Sequence, residues 1–133
     1  MMAAVKGKDS AAELALRREL HRRGHRFRLH ARDILGRPDI LFRGRKVVVF
    51  VDGDFWHGNS WRLRGLPNLE AQFPSRTKWW VTKIRRNMER DREVSAALED
   101  QGWRVVRAWE SEIVSDAAAV ADRVEDALKA GRG

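Results

Sequence analysis

The stretch VVVFVDGDFWHGN, residues 47–59, decides how this chain folds. A short apolar run that ends abruptly is typical of a β-strand covered on both faces. Two carboxylates, a Phe-Trp pair and a lone histidine follow the run at once. Titratable and aromatic side chains gathered at the end of a buried strand indicate a functional site there.

Around this strand, the pattern of apolar residues predicts an α/β fold. We expect a helix at 10–23 with Ser10 as its cap, strands at 25–30, 39–42 and 46–51, a polar binding loop at 52–76, a helix at 77–101, a strand at 103–109 and a closing helix at 115–129. The second and third strands are joined tightly through 43–45. This order predicts a central mixed β-sheet flanked by helices. A chain of 133 residues is expected to form one domain, residues 1–133.

The charge balance points to a polyanion. Lys and Arg number 27 against 19 Asp and Glu, which gives a net charge of +8. Nucleic acid is the usual partner of such a chain, although an inert basic surface or a ribosome-associated protein has the same composition. The chain has no cysteine, which excludes disulfides and thiolate zinc sites. With no apolar run of membrane-spanning length and no signal-peptide pattern, a cytoplasmic location is expected.

Two aspartates at strand ends are candidate metal ligands. Asp39 opens one strand of the predicted hairpin and Asp52 ends the other, so the two carboxylates can meet at one end of the sheet. Such a pair suits Mg²⁺, which prefers oxygen ligands. The alternative is that each aspartate only solvates the end of its strand.

The remaining titratable side chains of interest are Asp91, Glu13 and the histidines. Asp91 falls on the apolar stripe of its predicted helix, where it needs a partner; that partner is either His57, which a carboxylate would orient as a general base, or an arginine. Glu13 completes a capping box with Ser10. His21, His25 and His30 lie among arginines and are assigned no catalytic role.

Phe55 and Trp56 are unusual in a polar loop. They either plug the core or act as a wedge for a planar group, as in proteins that insert apolar side chains between base steps of DNA. Trp79 and Trp80 could join them or pack on the sheet.

Four strings occur together and in order: GRPD (36–39), FVDGDFWHG (50–58), WWVTKIRRNMERD (79–91) and GWRVVRAWE (102–110). Over nearly the whole chain they resemble the very-short-patch repair (Vsr) mismatch endonucleases, which belong to the restriction-endonuclease-like superfamily. The resemblance implies that fold and a monomer that nicks double-stranded DNA at or near a T:G mismatch, as part of DNA repair. A nuclease with a different DNA target or a partner-dependent specificity, or a non-catalytic DNA-structure-binding module, are the alternatives.

The resemblance also implies roles for individual residues. Asp39 and the backbone carbonyl of Val51 match metal ligands, His57 matches the catalytic histidine, Asp91 its partner, and Glu13 a glutamate near metal-bound waters. The residues expected to contact DNA are Phe55, Trp56 and Trp80, which match the aromatic wedge, together with Lys83, Asn87 and Arg90. One or two Mg²⁺ ions are the expected cofactor. Other DNA repair proteins are possible partners, and association with the nucleoid is the expected location.

This chain departs from the family at three places. Where well-known members hold a structural zinc, it has Asp54, Asn59, Trp61 and Ser111, so we expect no zinc and a loop held by packing of Trp61 and Trp109. Asp52 replaces another active-site histidine and could bind a metal directly. The chain is short at its amino end, where the family has extra DNA-contacting residues, so its specificity is expected to differ.

Overall fold

The computed structural model describes residues 10–130, and β3 is the centre of the fold. The elements in chain order are α1 Ala11–Arg22, β1 Arg28–Leu29, β2 Ile40–Phe42, β3 Val47–Asp52, α2 Ser60–Leu63, α3 Thr77–Asp100, β4 Arg104–Trp109, α4 Glu110–Ser115 and α5 Ala117–Ala130. The strands form one sheet in the order β1-β2-β3-β4. β1, β2 and β3 pair antiparallel, whereas β3 and β4 are parallel. The sheet is therefore mixed, as the sequence predicts.

Every residue of β3 is buried because helices cover both faces of the sheet. Val47, Val49 and Val51 pack into a core with residues from α1, α4 and α5. Val48 and Phe50 face the other way and pack with Leu98 of α3. Alternate residues of one strand thus supply two cores, which explains the unbroken apolar run.

The strand predicted at 25–30 is wrong over most of its length. Gly24 has a left-handed φ of 88° and ends α1, and the amide of His25 still donates to the carbonyl of Leu20 in that helix. Only Arg28 and Leu29 pair with β2, and His30, with a φ of 48°, leaves the strand. The C-terminal end of α1 therefore includes residues whose alternating polar and apolar pattern predicts a strand.

Two other expectations need correction. The predicted loop at 52–76 contains α2 and a 3-10 turn at Glu70–Gln72. The short helix α4, which the sequence analysis missed, follows β4 directly and precedes the closing helix α5. No helix within residues 10–130 is long and apolar enough to span a membrane.

Candidate active site

A cleft of about 480 Å³ opens where β2 begins and β3 ends. Its walls carry most of the titratable side chains that the sequence singles out: Glu13, Asp39, Asp52, His57, Arg90 and Asp91. Glu13 lies on α1, Asp39 directly precedes β2, Asp52 ends β3, His57 follows in the loop, and Arg90 and Asp91 lie on α3. Helix and strand ends far apart in sequence thus meet around one space.

One group in the cleft combines Glu13, His30 and Asp39. An oxygen of each carboxylate and a ring nitrogen of His30 lie within 4.8 Å of one another. Asp39 is fixed by the backbone amide of Val51, which donates to its Oδ2 at 2.7 Å. Glu13 is buried and accepts a hydrogen bond of 3.0 Å from Arg17. The capping interaction also exists, but it is the amide of Glu13 that donates to the Ser10 hydroxyl. The carboxylate of Glu13 therefore points into the site.

The second group combines Asp52, His57 and Asp91. His57 Nδ1 lies 2.5 Å from Asp91 Oδ2 and 3.8 Å from Asp52 Oδ1. Burial alone would lower the pKa of His57, but the hydrogen bond to Asp91 and the charges of both aspartates outweigh it, so the pKa lies above its ordinary value. The structure thus brings His57 and Asp91 together, which is the pairing that the family resemblance implies, and a proton on Nδ1 would face Asp91.

Asp39 and Asp52 line the same cleft but belong to different groups of candidate ligands. Asp52 ends β3 on the same face as Phe50, and Arg107 of the parallel neighbour β4 lies opposite Phe50. The Arg107 guanidinium lies 4.2 Å from the Phe50 ring centre and donates to both oxygens of Asp52, at 3.0 and 3.2 Å. Burial raises the pKa of Asp52, and the positive charges of Arg107 and His57 only partly oppose this rise. Asp52 therefore belongs to an ion-paired group behind His57.

Sequence reasoning missed Arg107 and His30. Arg107 also donates to Ser95 Oγ at 2.8 Å and to the carbonyl of Asp91 at 3.2 Å, so it ties β3, β4 and α3 together. His30 faces Glu13 at 3.1 Å. The register of β1 against β2 gives the signal that could have found His30: because Leu29 pairs with Ile40, the next residue lies beside Asp39.

The segment that carries Phe55, Trp56 and His57 is held at both ends. Asp54 accepts hydrogen bonds from the side chain of Asn59 at 2.9 Å and from the amide and hydroxyl of Ser111 in α4 at 3.0 and 2.7 Å. Asp54, Asn59 and Ser111 are three of the four positions at which we expect no zinc. A hydrogen-bonded cluster, with Asn59 itself buried, thus joins the loop to α4, and the Trp61 indole donates to the carbonyl of Gly58.

The aromatic side chains form a cluster between this loop and the first half of α3. The buried part is Leu69, Phe73, Val81 and Ile84, and Phe55, Trp56, Trp61, Trp80 and Met88 pack against it while half-buried. Trp80 stacks on Phe73, with ring centres 5.1 Å apart. Phe55 and Trp56 are thus supported from below while one side of each stays accessible.

The three polar residues predicted to contact DNA lie on α3 beside these aromatics. Lys83 and Arg90 are exposed. Asn87 is half-buried, and its amide donates to the carbonyl of Trp56 at 3.0 Å. Trp79, which we did not assign to the wedge, is the most exposed aromatic of this group at 49%.

Comparison with known proteins gives consistent matches. The family model described as DNA mismatch endonuclease Vsr matches residues 1–63. The type II nicking enzyme V.XorIIP of Xanthomonas oryzae pv. oryzae is 42% identical over 128 residues, which are 96% of this chain and 89% of that protein. V.NmeDIP of Neisseria meningitidis serogroup C, also a type II nicking enzyme, is 37% identical over 99% of this chain and 86% of its own length. The DNA mismatch endonuclease Vsr of Escherichia coli K12 is 36% identical over 82% of this chain and 66% of its own length.

Proposed function

The chain belongs to the Vsr DNA mismatch endonuclease family and is a DNA endonuclease, and we propose that it nicks one strand of duplex DNA at or near a T:G mismatch with the help of Mg²⁺. The contact between His57 and Asp91 carries this proposal, because it lies in one cleft with Glu13 and Asp39. A candidate general base and two carboxylates suited to a hard cation face the same space.

His57 acts as the general base. With the proton of Nδ1 directed at Asp91, the Nε2 nitrogen keeps its lone pair and takes a proton from the attacking water. The negative charge of Asp91 stabilises the imidazolium ring that results. Arg107 holds Asp52 and the backbone of Asp91 behind the ring, so the histidine keeps one orientation.

The group around Asp39 fits a hard cation. Asp39, the backbone carbonyl of Val51 and, through waters, Glu13 would hold Mg²⁺, which supplies Lewis-acid stabilisation of the charge on the scissile phosphate when bound. We place Asp52 outside this group, because its carboxylate is ion-paired with Arg107 and lies with His57 and Asp91. We also propose that the chain has no zinc site, because among Asp54, Asn59, Trp61 and Ser111 only the aspartate is a usual zinc ligand.

The aromatic cluster serves as the wedge. Phe55, Trp56 and Trp80 are supported by the buried residues beneath them, so they can enter a base step without collapsing inward. Unstacking a mismatched step costs less than unstacking a paired one, which favours the mismatch. Lys83, Asn87 and Arg90 flank the wedge on α3 and contact the DNA backbone.

The test is a nicking assay on two duplexes that differ at one base pair. Each strand is labelled in turn, and the T:G duplex and its T:A twin are incubated with the protein and Mg²⁺ or with EDTA. We expect one labelled strand of the T:G duplex to be cut, only with Mg²⁺. Equal cutting of both duplexes would contradict mismatch recognition and favour a different DNA target. Binding without cutting in any divalent metal would contradict catalysis by this chain alone.

A further inference from the structure

A second cleft, about 670 Å³ in volume, lies at the other end of β2 from the active site. Its walls carry four arginines, Arg26, Arg28, Arg43 and Arg45, over a floor that includes Phe27 and Phe42. None of the described residues that line it is acidic. The cleft is therefore basic, open and apolar at its base.

Much of this positive charge is not neutralised by the described residues. Among residues 10–130, Arg26 and Arg28 have neither an ion pair nor a side-chain hydrogen bond. Within the described part of the chain, Arg45 donates to the carbonyl of Leu128, and Arg43 is paired with the carboxylate of Asp33. Like charges gathered in one cleft repel one another, and an external anion would offset this repulsion.

Protection of a sheet edge is the ordinary explanation for charge at this place. β1 is an edge strand, and charged side chains on an edge prevent pairing with another chain. That explanation covers Arg28, but it does not cover Arg43 and Arg45, which lie in the turn between β2 and β3. Arginine on both walls of a cleft suits phosphate groups, which its planar guanidinium binds through two parallel hydrogen bonds.

The basic cleft adjoins the active-site cleft along β1. Arg28 lines the former and His30, two residues later, lines the latter, a separation of about 7 Å along an extended chain. The far side, at Arg45, lies just beyond the start of β3, and β3 spans about 17 Å from Val47 to Asp52. At 3.4 Å for each base pair, these distances correspond to roughly two to five base pairs.

We propose that this basic cleft binds the phosphate backbone of the same duplex on one flank of the nick. The inference rests on the proposed position of the nick in the active-site cleft. Because the two clefts lie side by side, one duplex segment can contact both, and only one direction along the DNA leads to the arginines. The contact is with phosphates, so it adds affinity without reading sequence.

The experiment compares three duplexes that carry the same central T:G pair. One is short, and the others extend it by about twelve base pairs on one side or on the other, which is more than the cleft spans. Binding of the full chain is followed by fluorescence anisotropy in EDTA over a series of salt concentrations, and a denaturing gel checks that both strands stay intact. Wild-type protein is expected to gain affinity from one extension and not from the other.

The variant Arg26→Glu/Arg28→Glu should lose that gain. We expect it to bind the favoured long duplex about tenfold more weakly than wild type and to reduce the slope of log K against log salt by about 2, since two phosphate contacts disappear. The neutral variant Arg26→Gln/Arg28→Gln should show an intermediate loss. Arg18→Glu/Arg32→Glu makes the same change in net charge at exposed arginines that line neither cleft, and it should keep the gain from the flank.

Three results would overturn the proposal. The first is equal binding of all three duplexes by the wild-type protein. The second is an Arg26→Glu/Arg28→Glu variant that still gains as much affinity from the favoured extension as wild type does. The third is a control variant that loses this gain in affinity to the same extent. An unchanged gain would favour an acidic segment of another protein as the ligand. Nicking of the short duplex by wild type with Mg²⁺ is scored separately, so failure of the nuclease is distinguished from failure of the flank contact. Circular dichroism and thermal melting of each variant verify its fold.

Discussion

Asp91→Asn is expected to slow nicking about 100-fold while leaving the fold intact. Asp91 Oδ2 lies 2.5 Å from His57 Nδ1 and keeps the proton of the ring on that nitrogen. General bases contribute a factor of about 10² to 10⁴ to the rate. Asparagine can present its NH₂ group to Nδ1 instead of an oxygen, in which case the proton moves to Nε2 and blocks the base. A 100-fold loss corresponds to about 2.7 kcal/mol of transition-state stabilisation.

The pH profile separates this role from a structural one. A general base must be neutral, so wild-type activity falls as the pH drops through the raised pKa of His57. Without the carboxylate, burial continues to lower that pKa while the hydrogen bond that opposes it is lost. The acidic limb of the profile should therefore move to lower pH in Asp91→Asn, while the rate on the plateau falls.

The assay is single-turnover nicking of the labelled T:G duplex with saturating protein and Mg²⁺ over a pH series. Asp100→Asn is the matched control, because Asp100 is exposed at the end of the same helix. A rate close to wild type, or a lower rate with an acidic limb that has not moved, would refute the assignment of His57 as a base oriented by Asp91.

Three further variants test the loop and the histidine. Asp54→Ala removes three hydrogen bonds to its side chain and should lower the free energy of unfolding by about 2 kcal/mol in a denaturant titration. A zinc chelator should leave the melting temperature of the wild-type protein unchanged. A lower melting temperature with the chelator would contradict the zinc-free loop. Gly58→Ala should destabilise the protein by about 1 kcal/mol or more, because Gly58 has a φ of 85° and a Cβ there would lie 2.5 Å from Met88 Sδ; a melting temperature equal to wild type would contradict this packing. The pKa of His57 in the folded protein is raised above 6.5, so its interactions stabilise the protein fully below that pH and are lost as the pH rises through the folded pKa. His57→Gln should therefore flatten this part of the curve of unfolding free energy against pH. An unchanged curve would contradict the raised pKa.

The sequence predicts the elements whose signal is local. β3 is an unbroken apolar run, α3 has a long helical stripe, and both lie where the pattern puts them. The apolar stripe predicts that Asp91 needs a partner, and the resemblance to the Vsr family, not the stripe, assigns His57 as that partner. Short elements are harder to predict. β1 has only two paired residues, and the residues before it belong to the end of α1.

The ion-paired part of the site could not be read from the sequence in the same way. Arg107 stands in WRVVRAW as one polar residue of an edge strand, and its contact with Asp52 depends on the parallel register of β3 and β4. His30 looks like one more basic residue in HRFRLH until the pairing of β1 with β2 sets it beside Asp39. Contacts across a sheet follow from register, which neither composition nor periodicity determines.

Asp39 is expected to support metal-dependent hydrolysis in the active-site cleft, and a titration with Mg²⁺ tests this role most directly. Single-turnover nicking of the T:G duplex is measured against Mg²⁺ concentration for wild type, Asp39→Asn and Asp126→Asn, the last being an exposed aspartate on α5. DNA binding of each protein is measured in parallel. We predict that Asp39→Asn binds the duplex but does not nick it at any Mg²⁺ concentration, whereas Asp126→Asn behaves as wild type. Nicking by Asp39→Asn with the wild-type dependence on Mg²⁺ would contradict this role.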